Sequence, residues 1–184
     1  MKVRDVMAEA ADLVCDDGLG DKIRLNEETS GEDERRRKIL LRAYNTVLNE
    51  MCTEYLPLRT RENVGEGKIF YADLSYDPVR IVAAYDDEGR KISVCACPTY
   101  AVAAGAKEIE YEYIPSAKGE ADDHPYDGTR AGSRVFAYGI AAEYCLVTAR
   151  YEESTNWDEK YRGAATGCLT RKGAKRIPAR TWGL

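Results

Sequence analysis

A chain of 184 residues suffices for one domain, or one domain with a sizeable insertion. At that length folding buries roughly 70% of the unfolded surface, so neither a metal nor a disulfide is required for stability. With 44% apolar and 32% charged residues, and no apolar run near the ~20 residues of a membrane span, the composition is that of a globular chain. The net charge of −5 is uneven: residues 1–34 carry eleven acids against four bases, whereas residues 171–184 carry five bases and no acid. The opening MKVRDVMAEAADLVCDD is amphipathic and acidic, unlike a signal peptide, so folding in a cytoplasm is expected. In that reducing setting Cys15, Cys52, Cys95, Cys97, Cys145 and Cys168 read as small buried hydrophobes. Thirteen Tyr against two Phe suit many half-buried aromatics and surfaces that meet other protein.

In chain order, the first predicted helix runs near Lys2 to Asp16, with Val3, Val6, Met7, Ala10, Leu13 and Val14 on one stripe, and Gly18 and Gly20 end it. The polar stretch LNEETSGEDE leads into a second helix, where Thr29 and Glu32 fit a capping box and first-turn acids suit the helix dipole. Leu40, Tyr44, Val47, Leu48, Met51 and Tyr55 follow at helical spacing until Pro57 stops the helix. The period then changes. Residues 67–73 alternate, and RIVAAY and KISVCA flank DDEGR as a hairpin would. In residues 107–114, Ile109, Tyr111 and Tyr113 point one way, with Glu108, Glu110 and Glu112 on the opposite, solvated face. Pro78, Pro98 and Pro115 mark edges or bends, giving five or six antiparallel strands in a small sandwich or barrel over residues 56–116.

After the turn-rich residues 117–132, a third helix is predicted from about Ser133 to Tyr151, with Phe136, Ile140, Tyr144, Val147 and Tyr151 on its stripe. Thr155 and Asp158 form a second capping box before a fourth helix bearing Trp157, Tyr161, Ala164 and Cys168. The expected fold class is α+β. Helix pairs 1–55 and 133–170 make a four-helix bundle around an inserted antiparallel β unit, with a basic C-terminal tail at 171–184.

Chemistry has few candidates. His124 is the lone histidine, so any Ser–His or Cys–His pair must use it; in ADDHPYDGT it reads as an exposed loop residue. Asp122, Asp123 and His124 lack a second ligand cluster at a familiar spacing. Cys95 and Cys97 share one face of a strand but lack the second pair that zinc needs, so buried core thiols are expected. Arg35, Arg36 and Arg37 follow four acids within seven residues, and no P-loop, GxGxxG or recognition helix is present. No catalytic residue, cofactor or metal ligand is assigned. A small metal- or thiol-dependent enzyme built on Cys95, Cys97 and His124 stands as an alternative, and nucleic-acid binding by the tail is disfavoured by the overall acidity.

The order of the pieces carries a resemblance. MKVRDVMAEAADLV followed by RRRKILLRAYNTVLNEMCTEYLPLRTRE resembles tailed-bacteriophage head-to-tail connector proteins, the adaptor or neck type. GKIFYADLSYDPVRIVAAYDDEGRKISV is similar to the β-rich insertion of short-tailed-phage adaptors, and GSRVFAYGIAAEYCLVTARYEESTNWDEKYRGAA to their final helical pair. The resemblance implies a structural virion protein, assembled in the bacterial cytoplasm and located at the neck between capsid and tail. It would bind the portal protein, form a ring, commonly of twelve copies, pass genomic DNA without sequence-specific contacts, and dock tail, nozzle or stopper proteins. A tail terminator or stopper ring is the alternative within that class. An acidic N-terminal region and a basic tail suit head-to-tail subunit contacts. The expected portal or subunit interface is therefore Arg171, Lys172, Lys175, Arg176, Arg180 and Trp182, with Tyr151 and Trp157. Ala137, Ala141 and Ala142 permit close helix approach, and Tyr138, Tyr144, Tyr151, Trp157 and Tyr161 are divided between core and interface in a way the residues alone leave open.

Overall fold

Apolar residues at helical spacing and alternating residues at strand spacing sort this chain into two buried clusters, one helical and one of strands. The computed structural model describes residues 1–169 apart from 16, 17, 30 and 66, so the expected basic tail at 171–184 lies outside the described residues. The helices are α1 (Val3–Val14), α2 (Leu19–Arg24), α3 (Glu32–Glu50, continued by a π-helical turn at Met51–Tyr55), α4 (Ser133–Val147) and α5 (Tyr151–Leu169). Between α3 and α4 come β1 (Leu58–Asn63), β2 (Gly67–Phe70), β3 (Pro78–Tyr85), β4 (Lys91–Ile92), β5 (Cys95–Ala96), β6 (Tyr100–Ala103) and β7 (Glu108–Tyr113). The class is α+β.

The helical core draws on both ends of the chain. Val3, Val6, Met7 and Ala10 of α1, Leu40, Tyr44 and Val47 of α3, and Phe136, Ala137, Ile140 and Ala141 of α4 are all buried in one cluster with Tyr161 and Ala165 of α5. Small residues set its spacing. A Cβ built on Gly139 would sit 2.9 Å from both Val47 γ-carbons and 3.1 Å from the Tyr161 ring, so α4 meets α3 and α5 at contact distance there.

The β region is open rather than a closed barrel. One antiparallel sheet has the order β1-β7-β3-β4, the other β2-β6-β5. Ile69, Ala84, Ala101, Ala103, Ala106, Ile109 and Tyr111, drawn from both sheets, form a second buried cluster. The DDEGR hairpin is present: Tyr85 pairs with Lys91 across β3 and β4, and the Asp86 carboxylate accepts from the Glu88 and Arg90 amides at 3.0 and 2.9 Å. Leu56, Leu58 and Ile114 pack on the helical core, rooting the β region there.

Several expectations change. Gly18 does not simply end a helix. With φ of +74° it precedes α2, a short helix that buries Leu19 and Ile23. Neither capping box forms. α3 starts behind Gly31 with no side-chain cap, and α5 starts at Tyr151, placing Thr155 inside the helix, where its hydroxyl donates to the Tyr151 carbonyl at 3.0 Å. α4 ends at Val147, because Ala149 takes a left-handed φ of +60° and turns the chain. The Glu108–Glu112 ladder is not uniformly solvated. Because β7 lies inside its sheet, Glu112 is buried at 4% exposure, where it accepts from Arg59 at 2.8 Å and Arg80 at 3.0 Å.

Gly139→Ala tests the helix packing directly. In an open helix this change stabilises by about 1 kcal/mol, but forcing a β-branched, buried Val47 aside costs roughly 1–3 kcal/mol. A lower denaturation midpoint is expected, restored in part by Gly139→Ala with Val47→Ala; urea unfolding checks it.

Candidate interaction surface

The hairpin of α4 and α5 carries two of the sequence-selected interface residues, and its geometry follows from its turn. The Thr148 hydroxyl donates to the Tyr144 carbonyl at 2.8 Å, and the Arg150 amide donates to the Cys145 carbonyl at 2.8 Å, closing α4. The Arg150 guanidinium then donates to the Val14 carbonyl at 2.8 Å, tying the turn to the end of α1. Ser154 donates to the Ala142 carbonyl at 2.9 Å, which holds the first turns of α5 against α4.

This arrangement divides the aromatics. Phe136, Tyr144 and Tyr161 are core. Burial raises the Tyr161 and Tyr144 hydroxyl pKa values, that of Tyr144 to about 12. Tyr138 and Trp157 are half-buried at the rim, stacked at 5.8 Å between centroids, with Lys160 lying 4.0 Å over the indole and Arg134 5.4 Å over the phenol. Tyr151 is 64% exposed. Six residues apart on one helix, Tyr151 and Trp157 point roughly 120° apart, so they belong to different faces. The other expected interface residues, Arg171, Lys172, Lys175, Arg176, Arg180 and Trp182, lie outside the described residues.

Sequence reasoning placed Val147 and Tyr151 on the apolar stripe of the third helix. The structure exposes them, at 62% and 64%, next to Leu146 at 49%, since the helix ends before it can cover them. Leu146 is an exposed apolar residue that the sequence reading did not single out; it falls off the stripe, one position past Cys145. These three exposed apolar side chains flank the turn between α4 and α5.

The chemical candidates are relocated as well. His124 is not exposed but buried at 2%, edge-on to Phe136 at 4.5 Å, sharing a 2.9 Å hydrogen bond from Nδ1 with the Tyr44 hydroxyl. The loop carrying it is strapped down. Lys2 and Asp123 form an antiparallel bridge, the Val3 amide donates to the Asp122 carbonyl at 3.0 Å, and Arg37 donates through Nε to both Glu120 oxygens at 2.8 Å. The hint in the sequence was Tyr126 two residues after His124, two rings on one side of an otherwise polar loop. Tyr126 donates to the Leu56 carbonyl, leaving Cys52 as the donor to the Tyr126 oxygen at 3.3 Å. Burial raises the Cys52 thiol pKa, so Cys52 rests as a thiol.

Cys95 and Cys97 are not core thiols. Cys95 is exposed and Cys97 half-buried. Cys95 pairs with Val102 and the Cys97 amide donates to the Tyr100 carbonyl at 2.8 Å, so both thiols share the outer face of β5 and β6 with Val102, Tyr100 and Phe70. The inner face is taken by Ile69, Ala101 and Ala103. Among the described residues no three His, Cys, Asp or Glu side chains converge as metal ligands would. No helix among them is long and apolar enough to cross a membrane.

No protein-family model matches the chain, and no curated protein sequence matches it.

The buried imidazole has a pH consequence. Burial lowers the His124 pKa to about 4, so an unfolded chain with a histidine near 6.5 takes up the proton first. Its contribution to stability is full above pH 6.5 and is lost as pH falls toward 4, by about 3 kcal/mol. His124→Phe is expected to flatten that part of the acid slope relative to wild type, as measured by urea unfolding at pH 7 and 4.5.

Proposed function

We propose that this chain is a head-to-tail adaptor of a tailed bacteriophage, a structural ring subunit at the neck of the virion. The observation that carries the reading is the order of assembly: helices from both chain ends share one core, and a β region is inserted between them. In this reading α1, α3, α4 and α5 make a four-helix bundle, the β region extends from it, and residues 171–184 are a basic tail that meets other protein. The exposed side chains of Leu146, Val147 and Tyr151 support it, since aliphatic and aromatic groups flanking one turn suit a subunit contact. The partners are the portal protein above, tail or stopper proteins below, and neighbouring copies arranged head to tail around the DNA channel. No catalytic role is assigned.

The test begins with the genes flanking this one. A portal or large-terminase gene nearby supplies the partner; a neighbourhood of metabolic genes would count against the reading. Mixed with that portal, the purified chain is expected to form closed rings on it in electron micrographs. Leu146→Asp with Tyr151→Asp, both at exposed positions, should reduce ring formation at least about tenfold while leaving the melting temperature near wild type. A chain that never joins the portal would overturn the proposal. Rings found only at the tail end would favour a terminator or stopper instead.

A further inference from the structure

The outer face of the β2-β6-β5 sheet gathers side chains that neither buried cluster uses. Cys95 lies opposite Val102, and Val102 opposite Lys68. Cys97 lies opposite Tyr100, and Tyr100 opposite Phe70. Cys95 is exposed and Cys97 half-buried, beside the exposed Val102 and Phe70. The three strands carry no Asp or Glu, and their one charged residue is Lys68. Its ammonium lies 3.8 Å over the Tyr100 ring and 4.7 Å over that of Phe70. Both thiols act on the same two phenols. The Tyr100 pKa is raised first by its hydrogen bond with Cys97, then by the electrostatics of Cys97 and Cys95; that of Tyr71 is raised first by burial, then by the same two thiols.

The spacing of the pair decides what it can hold. Cys97 precedes Pro98, which favours an extended backbone, and its amide donates to the Tyr100 carbonyl at 2.8 Å, carrying the ladder one residue past β5. Residues two apart on an extended strand share a face and stand about 6.6 Å apart. A disulfide needs β-carbons within about 4.5 Å, so the two sulfurs cannot join without backbone movement. A bridging atom removes that obstacle. Two metal–sulfur bonds of about 2.3 Å hold sulfurs about 4.6 Å apart, a gap that closes when each side chain leans toward the other. Zinc takes four ligands, and among the described residues no third His, Cys, Asp or Glu converges on the pair. A soft monovalent d10 ion such as Cu(I) accepts two thiolates in line and needs no third ligand. We infer that Cys95 and Cys97 form a two-coordinate site for a soft monovalent metal ion, Cu(I) in the first instance. Binding forms two metal–sulfur bonds and releases both thiol protons, with no electron transferred. One positive ion and two thiolates leave a net charge of −1, which Lys68 on the same face offsets. The inference stands apart from the adaptor reading, and neither falls with the other.

The test titrates the reduced full chain with Cu(I) against a chromophoric chelator, beside Cys95→Ser and Cys97→Ser. Wild type is expected to hold one Cu(I) per chain. Each variant should lose affinity by about a hundredfold or more, because the remaining thiol has no tethered second ligand. Zinc under the same conditions should bind at least about a hundredfold more weakly, and copper X-ray absorption should show two sulfur neighbours. Circular dichroism confirms that each variant is folded. No binding by wild type overturns the inference. So does affinity unchanged in both variants, which places the ion on Cys15, Cys52, Cys145 or Cys168. One ion per two chains, eluting as a dimer, overturns it by placing the site between copies, and zinc held as tightly as Cu(I) overturns the two-coordinate geometry.

Discussion

The contact on which the helical region depends is the meeting of α3, α4 and α5 at Gly139. α4 is the one helix that touches α1, α3 and α5 together, and at Gly139 it has no side chain to keep Val47 or Tyr161 at a distance. Ala137 and Ala141, one turn apart on the same helix, continue the narrow face. A helix surrounded this way needs small residues where neighbours approach and large ones between them, and Phe136, Ile140 and Tyr144 supply the second requirement. The Ala- and Gly-rich composition of α4 is therefore what lets helices from opposite ends of the chain enclose one core.

A second constraint follows from joining two chain ends around an insertion. The segment leaving β7 must cross the helical region before α4 begins, and it does so as a strap rather than a free loop. Asn45 on α3 donates to the Lys118 carbonyl at 3.1 Å and accepts from the Lys118 amide at 2.7 Å, and Arg37 holds Glu120. Beyond those anchors His124 and Tyr126 turn inward between Tyr44 and Phe136. A buried imidazole is tolerable here because it is neutral and Tyr44 meets one nitrogen. Stability across the insertion thus rests on a polar loop that buries its two rings.

Much of the fold was legible for local reasons. The core stripes of α1 and α3, the DDEGR hairpin, the alternation of β7 and the α+β class all follow from periodicities that tertiary packing leaves in place. What was not legible depends on neighbours. Glu112 looks like Glu108 in sequence, yet an interior strand position and two arginines from flanking strands bury it. Cys95 and Cys97 were correctly placed on one face, but which face meets the core is decided by β2 and β6. The helix boundaries failed where the deciding signal was a backbone sign. Gly31 and Ala149 adopt positive φ, the second without a glycine to announce it. Of the interface candidates, Trp157 and Tyr151 could be named from residue type, but their separation onto different faces required the start of α5 at Tyr151.

The exposed apolar group at the α4–α5 turn has a physical origin that bears on how such a surface persists. Leu146 and Val147 stand at the last residues of α4, and covering them would require the helix to continue or the turn to fold back across them. Instead Arg150 anchors the turn toward α1, donating to Val14 and pairing with Glu153, and so holds the backbone away from the apolar side chains. A turn fixed by charged hydrogen bonds beside uncovered aliphatic groups is stable in the monomer without hiding them. These side chains are therefore presented on a rigid corner, and an arriving partner would not have to order the residues it contacts. That lowers the entropic cost of any association at this corner and favours a defined contact geometry.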